Sequence, residues 1–158
     1  MSESHNEKWR LALIAAPDYE PALDLVRRVF LEFEAPDYTQ EGVNFFLRQV
    51  LDNRDYLKLL TMYGAYSRED GRLLGVMATR SQGRHLALLF VERAAQGQGL
   101  GRALFRLAWE QAAADRLTVN SSPYAVDIYR HWGFSVTGPE RTEDGIRSTP
   151  MVFIPHSK

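Results

Sequence analysis

The residues best suited to chemistry are the closely spaced glycines of segment 96–102, which follow an apolar run and precede an amphipathic segment. Glycine allows positive φ and has no Cβ to hold a phosphate away from the backbone. The first turn of a helix also leaves N–H groups without partners at the positive end of its dipole. The segment therefore predicts an anion-binding loop, to which Gln96, Gln98 and Arg102 could add side-chain donors.

Two widespread phosphate-binding motifs do not fit this loop. A P-loop needs Lys followed by Ser or Thr after its last glycine, where this chain has Arg102 and Ala103. A dinucleotide-binding fingerprint needs the spacing G-x-G-x-x-G and an acidic residue at the end of the following strand. Here the spacing is G-x-G-x-G, and the following strand ends at Asn120. A nucleotide-binding protein of the dinucleotide type is therefore a weaker hypothesis.

The segment 96–101, Gln-x-x-Gly-x-Gly, resembles at every fixed position the signature of the GNAT family, the GCN5-related N-acetyltransferases. The likeness continues through the strand-like segment 117–122. It then reaches segment 129–134, Tyr-x-x-x-Gly-Phe, which is similar to the end of the helix that follows in that family. Two motifs in the family's order are far more specific than either motif alone. The resemblance is strongest over residues 72–138.

The resemblance implies the fold of that family, an α/β (α+β) arrangement around a mixed, mostly antiparallel central sheet. The sheet has about six or seven strands, is flanked by about four helices, and is splayed between its fourth and fifth strands. In this chain those two strands are residues 84–91 and 116–120. Free backbone at such a split is costly unless a ligand or water satisfies it.

The resemblance also implies a cofactor, acetyl-CoA (coenzyme A). Its pantetheine arm would enter the split and pair with the strand backbone, and its pyrophosphate would lie on the glycine loop. The implied cofactor-binding residues are Leu89, Phe90, Val91, Gln96, Gly97, Gln98, Gly99, Leu100, Gly101, Arg102, Asn120 and Tyr129.

The reaction implied is transfer of an acetyl group from acetyl-CoA directly to an amine, in a sequential mechanism with no acyl-enzyme. The chain has no cysteine that could carry the acetyl group. Tyr129 is the predicted proton donor to the departing thiolate, because a phenol with a pKa of about 10 is protonated beforehand. Glu92 is the predicted base for the amine, directly or through water, with His85 farther back on the strand. A catalytically silent acyl-CoA-binding or sensor module of the same fold is the alternative.

Simpler roles remain open for several of these side chains. Tyr129 also has the spacing of a core aromatic residue, and Glu92 could be a solvated loop carboxylate. Asn120 falls where the family often has a cofactor-contacting Asn, whereas Ser122 is also a good helix cap. In the region that shapes the family's acceptor pocket, around Phe33, Tyr38, Phe45 and Phe46, the acidic residues Glu32, Glu34, Asp37 and Glu41 are predicted to be solvated.

Hydrophobic periodicity and turn residues predict the elements that position these groups. Asp18, Thr39 and Ser122 are the expected helix caps, and Asp70-Gly71 is the expected hairpin turn. In chain order, the expected elements are a strand from residue 9, helices 19–33 and 39–50, strands 56–67, 73–81 and 84–91, a helix from the glycines to residue 109, strand 116–120, helix 123–132, and strands 134–136 and 148–154.

Composition narrows the class of protein. With 158 residues, 45% of them hydrophobic and 25% charged, the chain is expected to form a single domain over 9–155 behind a flexible tail, 1–8. A net charge of −1 with scattered Lys and Arg predicts neither nucleic-acid nor membrane binding. Without a signal-peptide pattern or a metal-ligand motif, we expect a cytoplasmic protein with no metal. Its acceptor would be a small-molecule, peptide or protein amine, and a homodimer stays open.

Overall fold

The computed structural model describes residues 8–112 and 114–155 of the chain. The predicted tail lies outside these residues except for Lys8, whose carbonyl accepts a hydrogen bond from the Arg68 amide at 2.8 Å. Within the described residues, no helix is both long and apolar enough to cross a membrane.

The centre of the fold is a mixed sheet of eight strands in the order β1-β2-β3-β4-β5-β8-β6, with β7 paired to β8. Every pairing is antiparallel except that of β4 with β5, which is parallel because a helix connects them. The three-residue β7 is the strand beyond the predicted number, and the predicted fold class is confirmed. The strands are β1 Trp9–Ile14, β2 Thr61–Ser67, β3 Leu73–Arg80, β4 His85–Val91, β5 Leu117–Ser121, β6 Ser135–Val136, β7 Arg141–Glu143 and β8 Ile146–Phe153.

The sheet splays between β4 and β5, as predicted. These strands pair only at their beginnings, where His85 lies opposite Thr118 and Leu86 opposite Val119. From there on β5 keeps its full pairing with β8, whereas β4 keeps its pairing with β3. The facing edges of β4 and β5 consequently diverge and open a cleft.

In the part of the chain that the structure describes, five α-helices flank the sheet. They are α1 Tyr19–Val29, α2 Gln40–Phe45, α3 Arg54–Leu57, α4 Leu100–Gln111 and α5 Val126–His131. α4 and α5 pack on one face, around Met77, Leu86 and Leu104. α1 and the segment after it pack on the other face, in a second apolar cluster that includes Val76 of β3. Adjacent β3 residues thus serve opposite cores, which explains why this strand is buried on both faces.

The first two helices change their winding before they end. α1 passes into a π-helical turn, Phe30–Glu34, and then into a 3₁₀ turn, Ala35–Asp37. α2, capped as predicted by the Thr39 hydroxyl, which accepts from the Gly42 amide at 3.1 Å, passes into a second π-helical stretch, Phe46–Leu51. π turns are rare and frequently lie at functional sites. Both turns here contribute residues to the cleft.

One predicted strand begins too early. Residues 56–60 were expected to start β2, but α3 occupies Arg54–Leu57 and β2 starts at Thr61. The Asn53 side chain caps α3 by accepting from the Tyr56 amide at 3.0 Å. Apolar spacing in so short a segment does not separate a strand from one helical turn, and the cap decides between them. By contrast, the Asp18 side chain makes no capping hydrogen bond to α1.

Candidate active site

A cleft with a volume of about 890 Å³ begins where β4 and β5 diverge. The glycine loop and the start of α4 line one part of it. Residues from the end of α1, the end of α2 and the β7–β8 turn line another part, and α5 lies along the side. The lining includes every predicted cofactor-binding residue except Gln98.

The glycine loop has the geometry that anion binding requires. Gly97 and Gly99 have φ of 80° and 88°, a region that glycine enters without steric cost, and a Cβ at either position would meet nothing within 4 Å. α4 starts at Leu100, and the first bond of the helix runs from the Ala103 amide to the Gly99 carbonyl at 3.0 Å. Among the described residues, the amides from Gly97 to Arg102 donate to no protein acceptor. They are therefore available to a phosphate.

The remaining loop residues hold this geometry in place. Leu100 is buried, at 1% exposure, so only its backbone faces the cleft. A Cβ on Gly101 would come within 3.2 Å of the Trp132 ring, so the second signature glycine permits close packing of α4 against the segment that follows α5. The two glycines of the signature thus do different work: Gly99 shapes the bend, and Gly101 makes room for Trp132.

The two glutamines do not point free donors at the cleft. The Gln96 amide donates to the Val91 carbonyl at 2.9 Å and accepts from the Tyr124 hydroxyl at 3.3 Å, so it braces the loop against β4. The Gln98 amide donates to the Ala94 carbonyl at 3.3 Å, away from the cleft. The predicted side-chain donors therefore reduce to Arg102, which lines the cleft.

Only alternate residues of β4 direct their backbone N–H and C=O groups into the split. The Glu92 amide donates to the Leu74 carbonyl at 2.9 Å, so by alternation the backbone of Phe90 also faces β3. The backbone groups of Leu89 and the amide of Val91 face the split instead, whereas the Val91 carbonyl already accepts from the Gln96 side chain. We therefore expect Leu89 and Val91 to supply main-chain contacts to a ligand, and Phe90 to contribute only packing.

Tyr129 lies in the wall of the cleft on α5. It is 7% exposed and makes edge-on contacts with Trp132 and Phe134, at centroid distances of 5.5 and 5.1 Å. Its hydroxyl forms no hydrogen bond with any of the described residues. Burial, and secondarily the charge of Glu34, raise the pKa of Tyr129 above its usual value. The phenol therefore keeps its proton at neutral pH.

The family comparison shows what kind of protein has this cleft. A model described as an acetyltransferase (GNAT) domain matches residues 34–154, well over half of the chain. The chain belongs to the GNAT family. Acetyl-CoA is the cofactor that this family uses, as the sequence predicts. No curated protein matches the chain significantly.

Solved GNAT structures share the fold at low sequence identity. A GCN5-related N-acetyltransferase from Rhodopseudomonas palustris has a TM-score of 0.74 and 16% identity, covering 98% of this chain and 100% of that one. The PaiA N-acetyltransferase of Thermoplasma acidophilum, in complex with coenzyme A, has a TM-score of 0.73 and 14% identity, covering 94% and 100%. The spermidine N-acetyltransferase of Vibrio cholerae, with coenzyme A and spermine, has a TM-score of 0.63 and 16% identity, covering 94% and 96%.

Glu92 of this GNAT protein lies in the wrong place for the predicted base. Its carboxylate is paired with Arg72 at 2.9 Å and with Arg28 at 3.5 Å, and it does not line the cleft. These ion pairs tie the end of β4 to β3 and α1. His85 is no substitute, because it lies at the closed beginning of the split. Burial, together with Arg80, lowers the pKa of His85 to about 4.

The carboxylate that does face the cleft of this GNAT protein is Glu34, which the sequence predicts to be solvated. Its accessible surface is intermediate because it borders the cleft, yet the surrounding protein desolvates the carboxyl group strongly. Burial raises the pKa of Glu34 to about 7, only partly offset by the neighbouring Ser122 and Tyr38 hydroxyls. The Tyr38 hydroxyl lies 3.5 Å from its Oε1 atom. The sequence signal for Glu34 is its spacing of four residues after the buried Phe30, which places both on the inner side of the π-helical turn that follows α1.

The other acidic residues of the region behave as predicted. Glu32 pairs with Arg93 at 2.6 Å on the surface, and Asp37 lies 4.0 Å from Arg147. Neither lines the cleft, and neither does the exposed Glu41. The four aromatic residues from the region predicted to shape the acceptor pocket do line the cleft: Phe33, Tyr38, Phe45 and Phe46.

Asn120 in β5 and Ser122 just after it lie on the β5 side of the split. The Asn120 side chain is exposed to the cleft and makes no hydrogen bond to the described residues. Its carboxamide group is therefore available to a ligand. Ser122 occupies the capping position of the next helical turn, but its hydroxyl caps nothing. That hydroxyl is buried in the cleft wall with no hydrogen-bond partner, although it is close enough to Glu34 to lower its pKa in part.

Proposed function

We propose that this GNAT protein is an N-acetyltransferase that moves an acetyl group from acetyl-CoA directly to the nitrogen of an amine, in the cytoplasm. One observation carries the proposal. A single cleft joins the free amides of the glycine loop, the free edge of β4 and the phenol of Tyr129. The cleft therefore offers partners to the pyrophosphate, the extended arm and the leaving sulfur of a coenzyme A thioester.

The residues divide the work of such a transfer. The amides of the loop and Arg102 would hold the pyrophosphate, and the free backbone of Leu89 with the amide of Val91 would hold the extended arm. As the amine nitrogen bonds to the acetyl carbon and the carbon–sulfur bond breaks, the sulfur takes up negative charge. Tyr129 would give that sulfur its proton. Without cysteine in the chain, the acetyl group has no route through an acyl-cysteine.

The neighbours agree with this proposal without identifying the acceptor. The Thermoplasma structure holds coenzyme A, and the Vibrio structure holds coenzyme A together with spermine, a polyamine. We extend from them only that the acceptor is an amine, carried on a small molecule, a peptide or a protein.

The test is the release of coenzyme A thiol in the presence of acetyl-CoA and a panel of primary amines. Because the chain has no cysteine, a thiol reagent detects only the product, even at high protein concentration. We expect thiol release that depends on the amine, with a matching gain of one acetyl group in the mass of that amine. Binding of acetyl-CoA without amine-dependent release would instead identify a catalytically silent acyl-CoA-binding module.

A further inference from the structure

We propose that Glu34 receives the ammonium group of the acceptor and takes its proton, and that the acceptor is a cationic amine on an apolar or aromatic body with no carboxylate beside the nitrogen. This inference rests on the proposed function. It gives the base role to Glu34, which lines the cleft, instead of Glu92, which does not.

The position of Glu34 suits this role. It lines the same cleft as Tyr129. Its charge raises the pKa values of three nearby phenols, those of Tyr129, Tyr124 and Tyr38. Among the described residues it forms no ion pair with Lys or Arg. A buried carboxylate without a cation is costly, because its charge is desolvated and uncompensated. An ammonium group entering the cleft would supply the missing charge.

The charges of the cleft are divided between its parts. The basic side chains on the lining are Arg102 at the start of α4 and His131 at the end of α5. The acidic ones are Glu34, Glu143 at the end of β7, and Asp144 in the β7–β8 turn. That turn lies directly on α2, because the backbones of Gly42 and Gly145 touch. The part beyond the thioester is therefore acidic, which favours a cation and disfavours an acceptor that carries a carboxylate.

Aromatic rings form the rest of this acidic part. Phe33 and Tyr124 lie against each other with their centroids 5.2 Å apart, and Phe46 stacks on Phe30 at 4.0 Å. Phe45 and Tyr38 complete the wall. Aromatic faces attract both apolar groups and cations. The body attached to the nitrogen is therefore expected to be aliphatic or aromatic.

The Ser122 hydroxyl is a second sign of a ligand here. It is only 6% exposed and lines the cleft, and its approach to Glu34 lowers the pKa of that carboxyl group without completing a hydrogen bond of full geometry. Buried hydroxyls are nearly always partnered, by protein, water or a ligand. An N–H group of the acceptor held by Glu34 would be close enough to provide the bond that Ser122 lacks.

The protons balance in this scheme. An alkylammonium, with a pKa of about 10 like that of lysine, gives one proton to Glu34, and the neutral nitrogen then bonds to the acetyl carbon. Tyr129 gives its proton to the sulfur of the leaving thiolate. The nitrogen loses its second proton as the amide forms, and that proton restores Tyr129. Glu34 then releases its proton to solvent, so the overall reaction yields an amide, a thiol and one proton.

The titration of Glu34 sets the pH dependence. The groups that act on it are Asp37, whose charge raises its pKa, and the Ser122 and Tyr38 hydroxyls, which lower it. Tyr124 and Tyr129 face it in their neutral forms, and Arg147 acts on this cluster through Tyr38 and Asp37. With a pKa of about 7, Glu34 is ionised above neutrality. Activity should therefore rise with pH through about 7.

The first test compares Glu34→Gln with Glu32→Gln, a matched change at a surface carboxylate two positions away. We expect Glu34→Gln to lower kcat/KM for the amine by roughly 10²–10³-fold and to remove the rise near neutrality. Its affinity for acetyl-CoA in calorimetry should stay within about twofold of wild type, which also shows that it is folded. Glu32→Gln should keep the rate and the profile. A Glu34→Gln protein with wild-type rate and pH profile would overturn the proposal.

The second test compares amines that differ only by a carboxylate. Phenylethylamine is set against phenylalanine, and pentylamine against norleucine, in the thiol-release assay. We expect the amine without the carboxylate to be favoured at least tenfold in kcat/KM within a pair. Preference for the carboxylated member would overturn this inference and leave the proposed function standing. Bound acetyl-CoA with no thiol release for any amine would overturn both.

Discussion

At the scale of single residues, the two groups that we propose to transfer protons lie in different environments within the cleft. Tyr129 is packed among rings that keep its phenol neutral, whereas Glu34 borders the cleft with a pKa of about 7. The charge of Glu34 is one reason that Tyr129 holds its proton. Pairs of groups whose pKa values are pushed apart are a frequent feature of acid–base sites.

Tyr129→Phe tests the donor. The ring packing would survive, but the leaving thiolate would have to take its proton from water, so we expect kcat to fall by about 10²-fold with an unchanged Kd for acetyl-CoA. Steady-state kinetics and calorimetry measure the two quantities. Tyr66→Phe, on β2 against Arg10 and away from the cleft, is the control that should change neither. Wild-type turnover in Tyr129→Phe would reduce Tyr129 to a packing residue.

Glu34 also predicts a pH-dependent stability. Its pKa is about 7 in the folded protein against an ordinary 4.5, so between these values the native state binds its proton more tightly than the unfolded state does. The contribution of Glu34 to stability therefore falls as pH rises through this window. In urea denaturation, Glu34→Gln should gain stability relative to wild type at about pH 8 but not at about pH 4.5. An equal difference at both pH values would show that the carboxyl group is not desolvated.

At the scale of elements, the site depends on two departures from regular structure. The first is the left-handed bend at Gly97 and Gly99, which starts α4 with its amides toward the cleft. The second is the early end of pairing between β4 and β5, which leaves alternate β4 residues without partners. The Gln96 side chain connects the two, because it joins the loop to the Val91 carbonyl. Loop and strand edge are thereby held in one orientation.

Gly99→Asp tests the bend. Asp adopts positive φ at modest cost, but it would place a carboxylate where the pyrophosphate is expected, so we predict that acetyl-CoA binding falls below detection in calorimetry. Gly71→Asp is the matched control, since Gly71 also has positive φ, at 75°, and open space around it, but lies in the β2–β3 turn. It should bind like wild type. Unchanged affinity in Gly99→Asp would remove the glycine loop from the site.

At the scale of the whole molecule, the cleft exists because β4 and β5 each pair with a different neighbouring strand. β5 pairs with β8 along its whole length, and two separate cores hold β4 to β3 and to the helices on both faces. Neither strand can turn toward the other without breaking this packing. The split is therefore a rigid feature of the fold, which a ligand can enter without first opening it.

A preformed cleft predicts stabilisation by its ligand. At a concentration of about 100 times Kd, acetyl-CoA should add about 2.7 kcal/mol to the free energy of unfolding, equivalent to a rise in Tm of roughly 5–10 °C. ATP and NAD lack the pantetheine arm and should shift Tm far less at equal concentration in a thermal-shift assay. An equal shift with NAD would revive the dinucleotide hypothesis.

The sequence by itself determined what depends on local chemistry: the glycine spacing that bends the backbone, the apolar run of β4, the Thr39 cap and the second motif containing Tyr129. Only the tertiary structure decided which carboxylate faces the cleft, because the roles of Glu34 and Glu92 depend on groups distant in the chain. Arg28 and Arg72 neutralise Glu92 from α1 and the turn before β3, whereas Ser122 and Tyr129 approach Glu34 from beyond β5. Desolvation and charge pairing are properties of the assembled neighbourhood, and no local pattern encodes them.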